Sequence, residues 1–292
     1  VCSSDLDTGS RIEVEAATIE AGWRGAEATR GGSISLGSGT QLSAVAPGAR
    51  GLVASSGGSI ETRDARIRAH GHTEGRPAYG VLVRGGQDTT LTPSKAVLGP
   101  GTVVETDGVG LVLDAAQALS GGVTWVRVPA HLQSEDTRVI GGIAGAASFR
   151  GSSLSSINSS IEGGTSYALR VYDDEASADV SGGRLALTDA TGDNAAAIQV
   201  RHGTVRLQDR VDVTSSNGVL ILDPGDGFGR GQTRVDLHNT GLTGNVVTRH
   251  ATRSSINLHA GSTLAGRAIG SGLDPDHIVF GLQKADAHGW NV

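Results

Sequence analysis

Tyr79-Gly80-Val81-Leu82-Val83-Arg84-Gly85-Gly86 joins a small-residue step, a short apolar run and a glycine pair. Variants of this stretch recur as Arg50-Gly51-Leu52-Val53-Ala54, Val109-Gly110-Leu111-Val112-Leu113, Tyr167-Ala168-Leu169-Arg170-Val171, Ala197-Ile198-Gln199-Val200 and Asn217-Gly218-Val219-Leu220-Ile221. With Leu52, Val81, Leu111, Leu169, Ile198 and Val219 as anchors, the spacings are 29, 30, 58 (two steps of 29), 29 and 21 residues. A weaker copy follows 27 residues on, at Val246. A fixed period in this range signals a repeat architecture, one supersecondary unit per period. Helical repeats share such periods, so the local pattern has to choose. Ser33-Ile34-Ser35-Leu36, Gly203-Thr204-Val205-Arg206-Leu207 and Ser255-Ile256-Asn257-Leu258 alternate with period two and are bounded by turn residues, which is strand chemistry. No stretch sustains the apolar stripe of a long amphipathic helix.

The expected fold is all-β: a parallel β-helix, or solenoid, of about nine or ten coils. Each strand pairs with the strands one period before and after, so Val81 is expected to stack over Leu52 and under Leu111, with alternate positions pointing outward. At strand spacing this is a rod on the order of 45 Å long. Gly-Gly steps such as Gly31-Gly32 and Gly57-Gly58 supply corners at positive φ. The composition agrees. Aromatics are only 3% and methionine is absent, and a narrow core of stacked Val, Ile and Leu needs little aromatic volume. The net charge of −6, with Lys95 and Lys284 the only lysines, disfavours a nucleic-acid role.

One cysteine, Cys2, rules out an intrachain disulfide framework. Residues 1–6 match what a common sequencing-adaptor tail encodes and read as a non-native leader. Residues 7–272 read as the β-helix. The polar stretches 70–79 and 86–96 and the loop 223–231 read as insertions at its corners. Residues 114–160 are less regular, with a strand at Trp125 and a serine-rich segment, Ser152 to Ser160, that reads as a solvated, partly ordered strand. No run of apolar residues is long enough to span a bilayer as a helix, and the chain reads as an internal piece of a longer polypeptide.

The Tyr79-Gly80-Val81-Leu82-Val83, Gly57-Gly58-Ser59-Ile60 and Gly99-Pro100-Gly101-Thr102-Val103-Val104 steps together resemble the passenger domains of pertactin-family autotransporters. The resemblance covers roughly residues 30–292. Ala287-His288-Gly289-Trp290-Asn291-Val292 is similar to the start of that family's autochaperone-like module, so 273–292 read as the end of the passenger. The resemblance implies a right-handed β-helix tethered to the outer membrane of a Gram-negative bacterium through a C-terminal β-barrel of the same polypeptide. It also implies a monomeric adhesin or virulence factor, whose partner is a host-cell or neighbouring-cell surface ligand. The Arg-Gly-Asp tripeptide found in some members is absent.

Parallel β-helices also include polysaccharide lyases and hydrolases, so an enzyme of that kind is the alternative. Asp173-Asp174-Glu175 gathers carboxylates, but adjacent strand residues point to opposite faces, and the trio reads as a solvated corner. Stacking with Asp193 or Asp223, beside Arg170 or Arg201, does not fit the coil period. His70-Gly71-His72-Thr73-Glu74 is the most metal-like cluster but has no fourth ligand in sequence; Asp274-Pro275-Asp276-His277 reads as a turn. Asp223-Pro224-Gly225-Asp226-Gly227 lacks calcium-loop spacing and reads as a surface loop. Trp23 and Trp125 read as packing or end-cap residues, with sugar stacking as the other option. The expectation is a non-enzymatic binding protein with no catalytic, metal or cofactor residues.

Overall fold

The computed structural model describes residues 9–86, 92–120, 124–173, 175–225, 232–249 and 253–271. Each coil lays down three short strands, as in Ser33–Leu36, Gln41–Ala44 and Arg50–Ser55. Corresponding strands pair in parallel from coil to coil. The first and third faces are ten-stranded sheets. The second is eight-stranded, and a two-stranded pair, Gly241–Thr243 with Thr263–Ala265, lies beyond it. No helix occurs among the described residues. The chain is a β-solenoid.

Its core is a set of side-chain columns. On the first face Ile34, Ile60, Ala96, Leu132 and Leu154 stand in register. The second face contributes Leu42, Ile67, Val104, Val139 and Ile161. The third contributes Leu52, Val81, Leu111, Ala146, Leu169 and Ile198. All of these are buried. Branched aliphatic side chains stack without gaps on a pleated surface, which is why the pattern needs no large aromatics.

Two positions impose composition. The corner between the first and second faces uses one or two residues at positive φ in every described coil, beginning Ala16, Gly39, Asp64, Gly101, Asp136 and Asn158. Glycine, Asp and Asn tolerate that conformation best. The second position is the glycine of the repeated step. Gly25, Gly51, Gly80, Gly110 and Gly145 occupy the second position of successive third-face strands. There the strand presses on the second-face column: a Cβ on Gly80 would lie 2.6 Å from the Gly110 carbonyl oxygen and closer still to Val104. These glycines are required for close approach; the corner glycines Gly31 and Gly57 do have the expected positive φ, +78° and +82°.

The structure differs from the sequence reading in three places. The two steps between Leu111 and Leu169 are there, with one coil between them, but they are unequal: 35 residues to Ala146 and 23 from it. An antiparallel hairpin, Ala116–Ser120 with Thr124–Val128, is inserted before it. At Val219 the register shifts, so the interior column runs from Ile198 to Ile221 and then to Val246, while Val219 pairs with Asn245. The serine-rich segment is strand, as read, but only its alternate residues meet solvent. It forms the strands Ser153–Ile157 and Ser160–Gly163, with Ser152, Ser156 and Ser159 buried. Ser134 donates to Ser156 at 3.1 Å and Thr137 to Ser159 at 3.1 Å, so this part of the interior is a hydrogen-bonded hydroxyl ladder.

Outside, the second face carries ion pairs between coils. Glu105 receives Arg66 at 2.6 Å and Arg68 at 2.9 Å. The hydrogen bond from Arg66, helped by Arg68 against partial burial, holds the Glu105 carboxyl below its ordinary range. A carboxyl depressed in the folded state stabilises it above the unfolded-state pKa, about 4.3, and that contribution is lost as pH falls through the folded value. Wild type is therefore expected to show a higher urea midpoint than Glu105→Gln at pH 7, with the gap closing below about pH 4.

Candidate binding groove

The insertions in the chain are arranged on one side. Between the first and second faces, successive strands are separated by only two to four residues in every coil. The long connections all border the third face. On one edge are 70–78 and 188–195; on the other are 85–93, 115–129 and 224–231. The expected loops 70–79, 86–96 and 223–231 overlap this set, but Tyr79, residues 94–96 and Asp223 are strand, with Ala96 in the core column, and 87–91 and 226–231 lie outside the described residues.

The outward side of the third face differs from the other two. Val53, Leu82, Val112 and Ala147 stand in register along its middle and are buried, although they point away from the core. One flanking column runs Arg24, Arg50, Tyr79, Val109, Ala144, Tyr167. The other runs Arg84, Asp114, Phe149, Tyr172, Arg201. Small residues between Tyr79 and Tyr167 leave a gap of three strand steps, about 14 Å. The result is a groove along the rod axis with an apolar floor at Leu82 and Val112 and polar rims, enclosing about 480 Å³. A second hollow, of about 430 Å³, shares Arg50 and Tyr79 with it and extends past Pro47 and Pro77 to Trp23. These volumes are in the range of small-ligand sites.

Arginine and aromatic side chains alternate at both ends. The Arg24 guanidinium lies 4.3 Å from the Trp23 ring centre and that of Arg50 5.4 Å away. At the far end Arg170 lies 4.3 Å from Tyr167, and Arg201 3.8 Å from Tyr172. Such contacts orient both partners. Asp114 is held in a two-pronged pair by Arg150, at 2.8 and 2.6 Å, and Asp173 lies 3.4 Å from Arg201. Burial, and then the neighbouring Arg24, pushes the Arg50 guanidinium below its ordinary value, though it stays a cation at neutral pH. Arg50 makes no ion pair among the described residues, and the buried Nε groups of Arg24, Arg50 and Arg201 have no hydrogen-bond acceptor.

Of the candidates singled out in the sequence, Asp173 lines this groove. Glu175 is on the surface, 3.4 Å from Arg127 of the inserted hairpin; Asp174 lies outside the described residues. His70, His72 and Glu74 are exposed, and their loop is tied down by the Asp107 carboxylate, which accepts from the backbone N–H of Gly71 and His72 at 2.8 and 3.0 Å. No group of three or more His, Cys, Asp or Glu side chains suited to a metal occurs among the described residues. Asp223 is buried at the end of a third-face strand and accepts from Gly225 N–H at 2.9 Å, so it belongs to the interior and not to a surface loop. Asp274 to His277 lie outside the described residues, as do residues 1–6 and 273–292. Trp23 is not a core packing residue: it is 50% exposed, in the first described coil, at the end of the second hollow.

Sequence reading missed Arg50, Tyr79, Asp114, Phe149, Arg150 and Tyr172 as a group. A signal was present. Arg84, Asp114, Tyr172 and Arg201 each follow the last interior residue of a repeated step, and polar or aromatic side chains recur there. Phe149 was hidden because its strand, Ala144–Phe149, contains no Val, Leu or Ile.

No protein-family model matches the chain, and no curated protein matches it. Among solved structures, a match is to a crystal structure described as a TibC-catalyzed hyper-glycosylated TibA55-350 fragment, at 14% identity over 94% of this chain and 99% of that chain. Its TM-score is 0.22, too low to carry an argument about fold or function. The solenoid itself is consistent with the passenger architecture that the repeated steps resemble.

Proposed function

We propose that this chain is part of an autotransporter-type passenger: a surface-exposed or secreted β-solenoid, monomeric, that acts as an adhesin by presenting its third face to a ligand on another cell. One observation supports this above the others. Every long insertion borders the third face, while the opposite corner is kept at two to four residues. In solenoids the insertions often map to the binding face, and the third face is the one that both corners carrying insertions share. The contact surface on this reading is the groove with its bordering loops, where sequence alone had pointed to the loops. In the full polypeptide the rod is tethered to the outer membrane by a downstream β-barrel, following the resemblance of the repeated steps.

The function proposed is binding, not catalysis. The groove does carry the two carboxylates, Asp114 and Asp173, that a polysaccharide-cleaving reading needs, but arginines engage both. Turnover of an acidic polysaccharide by the purified chain would revive that alternative.

The test displays the full-length polypeptide on a Gram-negative host and measures adherence to a panel of animal cells. Tyr79→Ala/Tyr172→Ala is expected to lose most of the adherence, whereas Arg138→Ala/Arg184→Ala on the second face keeps it, at equal surface levels. Equal loss in both variants, or full adherence of the third-face variant, would reject the reading.

A further inference from the structure

We propose that the third-face groove binds an extended chain of carboxylate-bearing sugars along the rod axis, with Arg50 as its anchoring cation and Tyr79 and Tyr172 as its stacking platforms. The proposal rests on the binding function inferred above and names the ligand class of the same site.

Four observations carry it. The first is charge. The two hollows are lined by Arg50, Arg76, Arg84 and Arg150 against Asp114 and Asp173, so 4 − 2 leaves a net +2. The chain as a whole is at −6. A positive strip on an acidic rod concentrates anions at that strip.

The second is the unused hydrogen-bonding capacity. Arg50 is half-buried, lines both hollows and has no carboxylate partner among the described residues. A guanidinium so placed suits a planar two-oxygen anion, which accepts two parallel N–H bonds.

The third is the placement of aromatics. The chain has three tyrosines, Tyr79, Tyr167 and Tyr172, and all lie on this face with Phe149, while Trp23 stands at the corner beside it. A core of stacked aliphatics does not need them. Aromatic rings beside a polar rim suit the C–H faces of pyranose rings, and the ladder repeats at about 4.8 Å, close to the length of one sugar in an extended chain.

The fourth is what the groove refuses. Its floor is a sheet face whose backbone groups are already paired between coils, so a peptide has no free strand edge to extend. Asp114 and Asp173 accept hydrogen bonds from hydroxyls but repel densely sulfated chains. A ligand rich in hydroxyls, with spaced carboxylates, matches both signs of charge.

The test is calorimetric titration of the purified 292-residue chain. The probes are hexasaccharides of galacturonic acid and of hyaluronan, the carboxyl-reduced neutral form of each, and a heparin hexasaccharide. Binding of at least one carboxylated hexasaccharide, about tenfold or more tighter than its reduced form, is expected. That affinity should fall as salt rises. Arg50→Ala and Tyr172→Ala should each weaken it about tenfold, and Arg50→Lys should weaken it less while keeping the fold intact. Arg138→Ala on the second face should change nothing. Equal binding of acidic and reduced forms overturns the proposal, as do tighter binding of heparin and no binding of any probe. If third-face variants still abolish cell adherence in those cases, only the ligand class is wrong. If adherence does not depend on the third face, the binding function itself fails.

Discussion

Gly80→Val is expected to leave no stable rod through the third and fourth coils. A side chain at that position meets Val104 on the second face and, at 2.6 Å, the carbonyl oxygen of Gly110. The side chain can rotate, but the carbonyl belongs to a sheet strand paired on both sides and cannot move without breaking the ladder. Overpacking a core usually costs about 1–3 kcal/mol, and this substitution should exceed that because backbone must shift. The same clash recurs at Gly51, Gly110 and Gly145, so the strain cannot be relieved by moving the neighbouring coil. Gly22→Val is the control: a Cβ there meets nothing within 4 Å. Thermal unfolding followed by circular dichroism should separate the two variants clearly. A Gly80→Val protein that melts with wild type would show that the glycine column is dispensable.

The second large effect is expected at Ile221. This side chain is 2% exposed and stands in the column between Ile198 and Val246. Ile221→Asp places a carboxylate in an aliphatic column with no partner, at a cost of several kcal/mol. Val219, two residues earlier, is only partly buried and pairs with Asn245 at the register shift. Val219→Asp is expected to cost less than about 1–2 kcal/mol. Stability in a solenoid is a sum over neighbouring coils, so Ile221→Asp should open the C-terminal coils first and spare the N-terminal ones. Hydrogen exchange read strand by strand checks this. Equal destabilisation by the two substitutions would mean that the column does not pass through Ile221.

The contrast between Val219 and Ile221 shows how far the repeat could be read. Period and alternation identified the parallel coil and its interior at Leu52, Val81, Leu111, Leu169 and Ile198, because one inward residue in two must be aliphatic for a column to form. They failed where geometry, not residue type, sets the register. The bulge at Val219 shifts the column by two residues without changing the apolar pattern. The fifth coil was counted in the period, but its interior residue went unplaced because Ala146, not a branched aliphatic, fills the column between Leu111 and Leu169. The serines at 152–160 looked solvated because hydroxyls pair inside the rod only once coils are stacked.

The sequence by itself determined that this chain folds as stacked parallel coils, since each coil repeats the same short-range rules: aliphatic inward, polar outward, Gly, Asp or Asn at the turn. It also marked breaks in the pattern around 70–79, 86–96 and 223–231, with bounds that ran into the strands at Tyr79, Ser94 and Asp223. Only the tertiary structure decided that the long insertions border a single face. It also placed Arg50, Tyr79, Asp114 and Tyr172, scattered over 123 residues, around one groove. The physical reason is that hydrogen bonds between coils join residues whose separation along the chain depends on every insertion between them. A site assembled across coils has no signature within any one of them.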